Sequence, residues 1–223
     1  LADALDLLAP LVCAGCRAPG LPVCDECGAA LHAPLVRSDA GARELAGRGP
    51  PAWSAAEYSG STRSLVLAWK RGREDIRGAF EAAGREMADR WLAAPDLPEL
   101  TGRLVVVPAP SGWQRRSRGL LVARDLAGWV AEGLAAGGVR ARMVDALRRR
   151  SGPGHLAGLS AAARARARGR SVRLVRPLPV GSVVVVDDVL TTGSTVSACA
   201  DAIGRERVIG VLTLAATPAR SRM

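Results

Sequence analysis

The chain has 223 residues, of which 48% are hydrophobic and 3% are aromatic. That length and hydrophobic content exclude a disordered tail, and the scarcity of aromatic residues favours a parallel sheet of Val, Leu and Ala wrapped by helices over an aromatic-rich β-sandwich. The formal net charge is +10, with Lys70 the only lysine; an arginine-rich surface suits polyphosphates or nucleic acid but also arises by compositional drift, so charge alone selects no function.

The first 36 residues are punctuated by proline and carry four of the five cysteines. Two Cys-x-x-Cys pairs, separated by seven residues, comprise Cys13, Cys16, Cys24 and Cys27. Each short spacing lets a turn aim both sulfurs inward, so the segment is expected to bind one structural Zn²⁺ through four thiolates. A redox role is the alternative, although a redox Cys-x-x-Cys usually occurs once, at the start of a helix. His32 is either a substitute ligand or a surface residue.

Cysteine pairs of this kind indicate a reducing compartment. Asp3 and Asp6 stand where a secretory signal has basic residues, and no apolar run reaches the length that spans a bilayer. We therefore expect a cytoplasmic protein without membrane insertion.

A polar, glycine-containing stretch at 37–51 predicts a linker between the segment 1–36 and a domain over 52–223. Hydrophobic periodicity predicts strands and helices in alternation along that domain. The predicted strands are 55–58, 103–107, 139–144, 182–186 and 208–213, and the predicted helices are 61–70, 78–92, 120–134, 159–168 and 194–203. Strands that alternate with helices predict a doubly wound, mainly parallel sheet of the α/β class.

The predicted strand at 182–186 runs directly into two aspartates, Asp187 and Asp188, and a hydroxyl-rich turn. The turn and the N-terminus of the following helix present backbone N–H groups to an anion, and Gly193 lets the chain approach it closely. Four side-chain hydroxyl groups add donors, those of Thr191, Thr192, Ser194 and Thr195. Two carboxylates beside a phosphate site fit a ligand with hydroxyl groups in its middle, such as ribose 5-phosphate. Their charge would also stabilise an oxocarbenium-like ribose, so they are the catalytic candidates.

The alternative is that these side chains merely cap a helix, but a cap needs one such residue rather than two acids and four hydroxyls. Other phosphate-binding motifs are missing from the sequence. No Gly-x-x-x-x-Gly-Lys-Ser/Thr occurs, and the glycines at 152–158 lack the spacing and the preceding strand of a dinucleotide site. Cys199, on the predicted helix behind the turn, is interpreted as a small buried apolar residue.

Residues 187–195 resemble the signature with which type I phosphoribosyltransferases bind PRPP, the 5-phosphoribosyl diphosphate. Taken with the cysteine pairs, most of the chain resembles the ComF family of competence-associated, phosphoribosyltransferase-like proteins. Three further stretches carry the resemblance: Tyr58-Ser59-Gly60 with Arg63, Leu65 and Lys70-Arg71-Gly72-Arg73; Val107-Pro108-Ala109-Pro110 with Trp113, Arg115, Arg116, Arg118 and Gly119; and Leu159-Ser160 with Arg164.

The resemblance implies that the lysine and arginine stretches contact diphosphate, and their charges suit that ligand on chemical grounds. The candidates for diphosphate binding are Lys70, Arg115, Arg116 and Arg118. The resemblance also implies that Mg²⁺ is chelated largely by PRPP, so that no dedicated carboxylate cage is needed. Lys70 is alternatively a charge that favours a helix C-terminus, and the arginines are alternatively a solvated loop.

The chain departs from the family at several positions near the expected site. Leu120-Leu121-Val122 stands where the family commonly has Phe-Asn-Gln, and the glutamine before Gly158 and the asparagine after Arg164 are missing. A second pair of cysteines, common in longer relatives, is missing too. Because of these departures, the sequence supports PRPP binding better than it supports transfer of the phosphoribosyl group.

A second hypothesis is a non-catalytic accessory protein in DNA uptake or processing during natural transformation, which binds nucleotide, single-stranded DNA or a helicase partner. The family resemblance is its main basis. Arginine-rich stretches at 148–150 and 164–176 can meet phosphates, although they lack the interleaved aromatic residues that would stack on bases.

Overall fold

The computed structural model describes residues 11–100, 102–111, 119–150 and 172–218. The strands are β1 (Val36–Arg37), β2 (Ala52–Glu57), β3 (Leu104–Pro108), β4 (Ala141–Met143), β5 (Leu147–Arg149), β6 (Val172–Leu174), β7 (Ser182–Leu190) and β8 (Val208–Ala216). The α-helices are α1 (Asp25–Leu31), α2 (Gly60–Lys70), α3 (Arg77–Leu92), α4 (Val122–Ala136) and α5 (Ser194–Ile203). None of the helices in these ranges combines the length and the apolarity needed to cross a bilayer.

Six of the strands form one sheet, in the order β1-β2-β8-β7-β3-β4. Neighbouring strands in this sheet run parallel, except that β1 is antiparallel to β2. Strands β5 and β6 form a separate antiparallel pair. The parallel strands are joined by helices, as a parallel connection requires.

The valines of β7 alternate between the two faces of the sheet, because successive side chains of a strand point to opposite sides. Val184 and Val186 pack in one core with α2, α3 and α4, whereas Val183 and Val185 pack in a second core with α5. All four valines are fully buried. The sheet is therefore doubly wound and mainly parallel, which confirms the predicted α/β class.

The scarce aromatic residues are concentrated on the face covered by three helices. Trp69 of α2 stacks on Phe80 of α3 with ring centroids 4.2 Å apart, and Trp129 of α4 lies 5.7 Å from Trp69. Each such pair contributes about 0.5–1.5 kcal/mol beyond its buried area. The stack holds the C-terminal turn of α2 in place, and Lys70 is the residue that ends this helix.

The predicted elements that lie in the described ranges form within a few residues of their predicted positions, with one informative difference. Strand β7 continues to Leu190 and pairs with β8 as far as Leu190 and Ala216, so Asp187 and Asp188 lie in the strand rather than in a loop. The extension forms because β8 offers backbone partners over the same length and because Val189 and Leu190 are apolar. The predicted helix at 159–168 lies outside the described residues. The sequence pattern does not predict α1, β1, β5 or β6.

The cysteine-containing segment packs directly on the sheet and its helices. Cys13, Cys27 and Leu31 are buried in the same core as Leu65 of α2. In the stretch 37–51, Leu45 is 1% exposed and belongs to the core on the α5 side of the sheet. The division of the chain into a segment 1–36, a linker and a domain over 52–223 remains a prediction.

The order of the strands reverses next to β3. From β3 the chain passes through α4 to β4 on one side, and later it returns to β7 on the other side. Doubly wound sheets bind ligands in the crevice outside the carboxyl ends of the strands at such a switch point. The ends of β3 and β7 therefore mark the place where a site is expected.

Candidate functional site

A cavity of about 210 Å³ opens at the carboxyl ends of β3 and β7. Its walls come from parts of the chain that are distant in sequence and that the switch point brings together. The described residues that line it are Tyr58, Lys70, Ala109, Pro110, Ser111, Val122, Ala123, Arg149, Asp187, Asp188, Val189, Thr191 and Thr195. Both aspartates and the lysine that the sequence singles out thus meet at one cavity.

The two aspartates lie on opposite faces of β7 and have different partners. Asp188 faces α2, where its Oδ2 lies 2.9 Å from Nζ of Lys70, and the two side chains are only 13% and 18% exposed. Asp187 lies on the face of β7 that packs against α5. Its Oδ1 accepts a hydrogen bond of 2.9 Å from the backbone N–H of Asp188. The pair therefore presents one carboxylate whose charge is balanced and one whose charge is not.

Burial, reinforced by the negative charge of Asp188, raises the pKa of Asp187 to about 7. The backbone N–H of Asp188 and the ammonium group of Lys70 act in the opposite direction but do not cancel this effect. Near neutral pH the carboxyl group of Asp187 is consequently divided between its protonated and ionised forms. A ligand that donates hydroxyl hydrogens to the carboxylate will favour the ionised form.

The turn between β7 and α5 is held in shape by its own polar groups and by the chain around Leu45. The backbone N–H of Ser194 donates to Oγ1 of Thr192 at 3.4 Å, and the N–H of Glu44 donates to the carbonyl oxygen of Thr192 at 2.9 Å. Gly193 has φ +78°, and a Cβ atom there would lie 2.7 Å from Cγ of Leu45. Only glycine meets both conditions without strain.

The structure places the residues of the predicted phosphate-binding turn in two groups. Thr191 and Thr195 line the cavity, whereas Thr192, Gly193 and Ser194 form the turn beside it. Three predicted diphosphate-binding residues, Arg115, Arg116 and Arg118, lie outside the described residues. So do Trp113, Leu159, Ser160 and Arg164, on which part of the family resemblance depends.

Arg149 is a cavity residue that the sequence analysis assigned only to an arginine-rich stretch. It ends β5, where its Nε donates to the carbonyl oxygen of Pro110 at 3.1 Å and its Nη2 lies 3.4 Å from Oγ1 of Thr195. One weak signal could have found it: the apolar Leu147 stands two residues earlier, and alternate residues of a strand share a face. Leu147 is indeed buried in the core on the α5 side.

Val122, at the start of α4, also lines the cavity. It is the third residue of the Leu-Leu-Val sequence that replaces polar residues common in the resembling family. The cavity therefore has an apolar wall where a polar side chain was expected.

The four paired cysteines form a separate cluster at the N-terminal end of the described chain. The sulfur atoms of Cys13, Cys16, Cys24 and Cys27 all lie within 4.8 Å of one another, and none is in a disulfide bond. Sγ of Cys16 and Sγ of Cys24 are 3.6 Å apart, close to the separation of roughly 3.8 Å that tetrahedral Zn–S bonds of about 2.3 Å produce. The four cysteines can therefore bind one metal ion.

Backbone groups around the cluster favour a thiolate at Cys13. The N–H groups of Gly15 and Cys24 each lie 3.4 Å from Sγ of Cys13. Donors aimed at a sulfur stabilise its charged form, which is the form that ligates metals. His32 is not part of the cluster, since its Nδ1 lies 2.7 Å from Oε2 of Glu86.

Comparison with known proteins adds little to this geometry. No protein-family model and no curated protein sequence matches the chain. Among solved structures, the hypoxanthine phosphoribosyl transferase of Trypanosoma cruzi is similar, with 17% sequence identity and a TM-score of 0.34. The alignment covers 64% of each chain, less than two thirds of that enzyme. A similarity at this level carries no argument about activity, so the interpretation depends on the site itself.

Proposed function

We propose that this chain is a phosphoribosyltransferase-like protein that binds PRPP, or a nucleotide containing ribose 5-phosphate, in the cavity between β3 and β7. The observation that carries the proposal is the position of Asp187 and Asp188. They stand at the carboxyl end of a central strand, between Lys70 on one side and a hydroxyl-rich turn on the other. A ligand with phosphate groups at both ends and a sugar in its middle fits that order of charges.

The 5-phosphate would bind at the turn and the N-terminus of α5. Backbone N–H groups at such a turn and helix start can donate to an anion, and the helix dipole favours negative charge at this end. The residues that would hold it are Thr191, Thr192, Gly193, Ser194 and Thr195. The hydroxyl groups of the ribose would donate to the carboxylates of Asp187 and Asp188.

Lys70 would contact the diphosphate end of the ligand, and Arg115, Arg116 and Arg118 are the further candidates there. Two carboxylates, one already in an ion pair, are too few for a magnesium cage built by the protein alone. They fit a Mg²⁺ ion that binds mainly to the diphosphate oxygens, whose charge it would neutralise.

In the transfer reaction, the bond between C1 of the ribose and the diphosphate oxygen breaks, and the diphosphate leaves with the bonding electron pair. A lone pair of the acceptor nitrogen forms the new bond to C1, and the proton that this nitrogen then loses passes to solvent. The negative charges of Asp187 and Asp188 would stabilise the positive charge that develops on the ribose, and Lys70 would hold the departing diphosphate.

The cysteine cluster extends the proposal to family and cofactor. A four-cysteine cluster and a PRPP-like site in one chain are the two features on which the resemblance to the ComF family depends, and we infer that the cluster holds a structural zinc ion in a cytoplasmic protein. The apolar wall at Val122 favours the second candidate function, in which ligand binds without transfer. In that case the protein would serve DNA uptake or processing, with single-stranded DNA or a helicase as partner.

Calorimetric titration of the zinc-loaded protein with PRPP and Mg²⁺ tests the proposed site. We expect micromolar binding that is lost when Asp187 and Asp188 are both replaced by asparagine. Asp201→Asn is a control for loss of a carboxylate outside the cavity, because Asp201 lies on the exposed side of α5 and pairs with Arg205 at 2.6 Å. Binding that survives in the double variant, or no binding by the unaltered protein, would contradict the proposal.

Release of diphosphate separates the two candidate functions once binding is established. Incubation with PRPP and a panel of acceptor bases and amines should release diphosphate if the protein is a transferase, and Asp188→Ala should abolish that release. Binding without release would favour the accessory role. An anisotropy titration with labelled single-stranded DNA at several salt concentrations then tests the proposed partner.

A further inference from the structure

Two cationic side chains line the cavity among the described residues, and only one is neutralised there. Lys70 forms an ion pair with Asp188. Arg149 is in no ion pair with any carboxylate of the described chain, and its hydrogen bonds go to the carbonyl oxygen of Pro110 and the hydroxyl of Thr195. Its positive charge is therefore available to a ligand.

The guanidinium group of Arg149 is held in place by the fold. Arg149 is paired with Val172 across the β5–β6 ladder, and Leu147 and Val172 are both buried in the core that α5 covers. The bond from Nε to Pro110 links the guanidinium to the end of β3. The side chain thus spans from the end of β3 to the first turn of α5, where Nη2 lies 3.4 Å from Oγ1 of Thr195.

The turn itself supplies only neutral donors. Its hydroxyl and N–H groups can surround a phosphate dianion, but none of them carries a full positive charge. A guanidinium group offers two parallel N–H donors with a permanent charge, and pairs of this kind with phosphate are stronger than neutral hydrogen bonds. Among the described cationic side chains, Arg149 is the one that forms a hydrogen bond with a side chain of residues 191–195, the hydroxyl of Thr195.

We propose that Arg149 binds the 5-phosphate of the ligand and so makes the site selective for phosphorylated ribose. The inference rests on the proposed function, since it assigns one end of the proposed ligand to one side chain. The two ends of PRPP are then recognised by separate cations, the 5-phosphate by Arg149 and the diphosphate by Lys70.

Titrations of Arg149→Gln with ribose 5-phosphate, with PRPP and with magnesium diphosphate test this assignment. We expect affinity for ribose 5-phosphate and for PRPP to fall by about 10- to 100-fold, as the loss of a charged hydrogen bond produces. Affinity for magnesium diphosphate should not change. Arg149→Lys should recover part of the loss, because it keeps the charge but not the two parallel donors.

Arg173→Gln is the matched control, because Arg173 is an exposed residue of β6 in the same strand pair and the charge change is the same. It should leave all three affinities unchanged, which separates a specific contact from a general loss of positive charge. If the unaltered protein and Arg149→Gln bind ribose 5-phosphate equally well, the assignment of Arg149 is overturned and the proposed function is not. Selective loss of magnesium diphosphate would overturn it too. Failure of the unaltered protein to bind PRPP or ribose 5-phosphate would overturn both this inference and the proposed function.

Discussion

Asp187 is a single residue whose buried carboxyl group links stability to pH. Its pKa is raised from 3.8 to about 7 in the folded chain, so between these values the folded state binds more protons than the unfolded state. The free energy of unfolding must then fall as pH rises through this window, and the effect is complete above the folded-state pKa. Asparagine carries no titrating proton and removes this contribution.

We therefore expect the stability of the unaltered protein relative to Asp187→Asn to decrease by on the order of 2 kcal/mol from pH 5 to pH 8. Urea unfolding of both proteins at the two pH values measures this difference, and titrating groups that do not interact with Asp187 cancel in the comparison. A difference that stays constant with pH would show that the carboxyl group is not desolvated as the structure indicates.

Gly193 is a second residue whose environment predicts the effect of a substitution on binding and stability. Alanine at φ +78° is strained, and its Cβ would lie 2.7 Å from Cγ of Leu45. Gly193→Ala should therefore displace the turn and weaken PRPP binding by more than 10-fold. It should also lower the free energy of unfolding by about 1–2 kcal/mol. Gly138→Ala is the control, since Gly138 has φ +84° with no atom within 4 Å of the added Cβ. It should lose about 1 kcal/mol of stability and keep its affinity. Equal affinity for PRPP in both variants would show that the turn at Gly193 does not contribute to binding.

At the scale of secondary structure elements, the sequence predicts the parts whose signal is local. Four consecutive valines and the hydroxyl-rich turn mark β7 and the start of α5, and the structure has α5 at 194–203 as predicted. The extension of β7 through Asp187 was not predictable, because it depends on the length of β8 more than twenty residues away. Strands β5 and β6 consist of three residues each and contain arginines, so the local pattern does not predict these strands. Only the apolar Leu147, two residues earlier, gives a weak signal for the position of Arg149.

The chain around Leu45 is an element that supports the site without lining it. Leu45 is buried and meets the backbone of the turn at Gly193. Leu45→Ala should therefore cost about 2–4 kcal/mol and also weaken PRPP binding several-fold. Leu134→Ala, equally buried in α4 on the other face of the sheet, should cost similar stability but leave affinity unchanged. Calorimetric titration below the unfolding temperature of both variants distinguishes these outcomes, and a parallel loss of affinity in both would indicate general loosening instead.

At the scale of the whole molecule, the cysteine cluster and the cavity are connected through α2. In the middle of this helix, Leu65 packs in one core with Cys27, and a Cβ at Gly15 would lie 3.3 Å from Cγ of Leu65. Just after its end, Nη2 of Arg73 donates to the carbonyl oxygen of Val12 at 2.8 Å. The cysteine-containing segment therefore contacts the helix that carries Lys70 to the cavity, and also the chain just after it.

Loss of the metal should then affect the site as well as stability. We expect one zinc ion per chain, absent in Cys16→Ser and retained in Cys199→Ala, because Cys199 is buried far along the chain on α5 and is outside the cluster. Removing the ion should lower stability by several kcal/mol, since metal binding to such segments contributes directly to folding. Cys16 is the exposed ligand of the four, so its replacement leaves the core side chains in place.

The ligand whose affinity falls in Cys16→Ser shows how the metal site affects the cavity. If α2 transmits the effect through Lys70, Cys16→Ser should bind magnesium diphosphate more weakly while its affinity for ribose 5-phosphate, which is held at β5 and α5, changes little. Zinc analysis by mass spectrometry, urea unfolding and the two titrations are made on the same preparations, with Cys199→Ala as the control. Equal weakening of both ligands would mean that the metal stabilises the whole fold without a specific path to Lys70. Zinc held by Cys16→Ser as tightly as by the unaltered protein, in competition with a chelator, would contradict the four-cysteine site, because three sulfurs leave the fourth tetrahedral position to water.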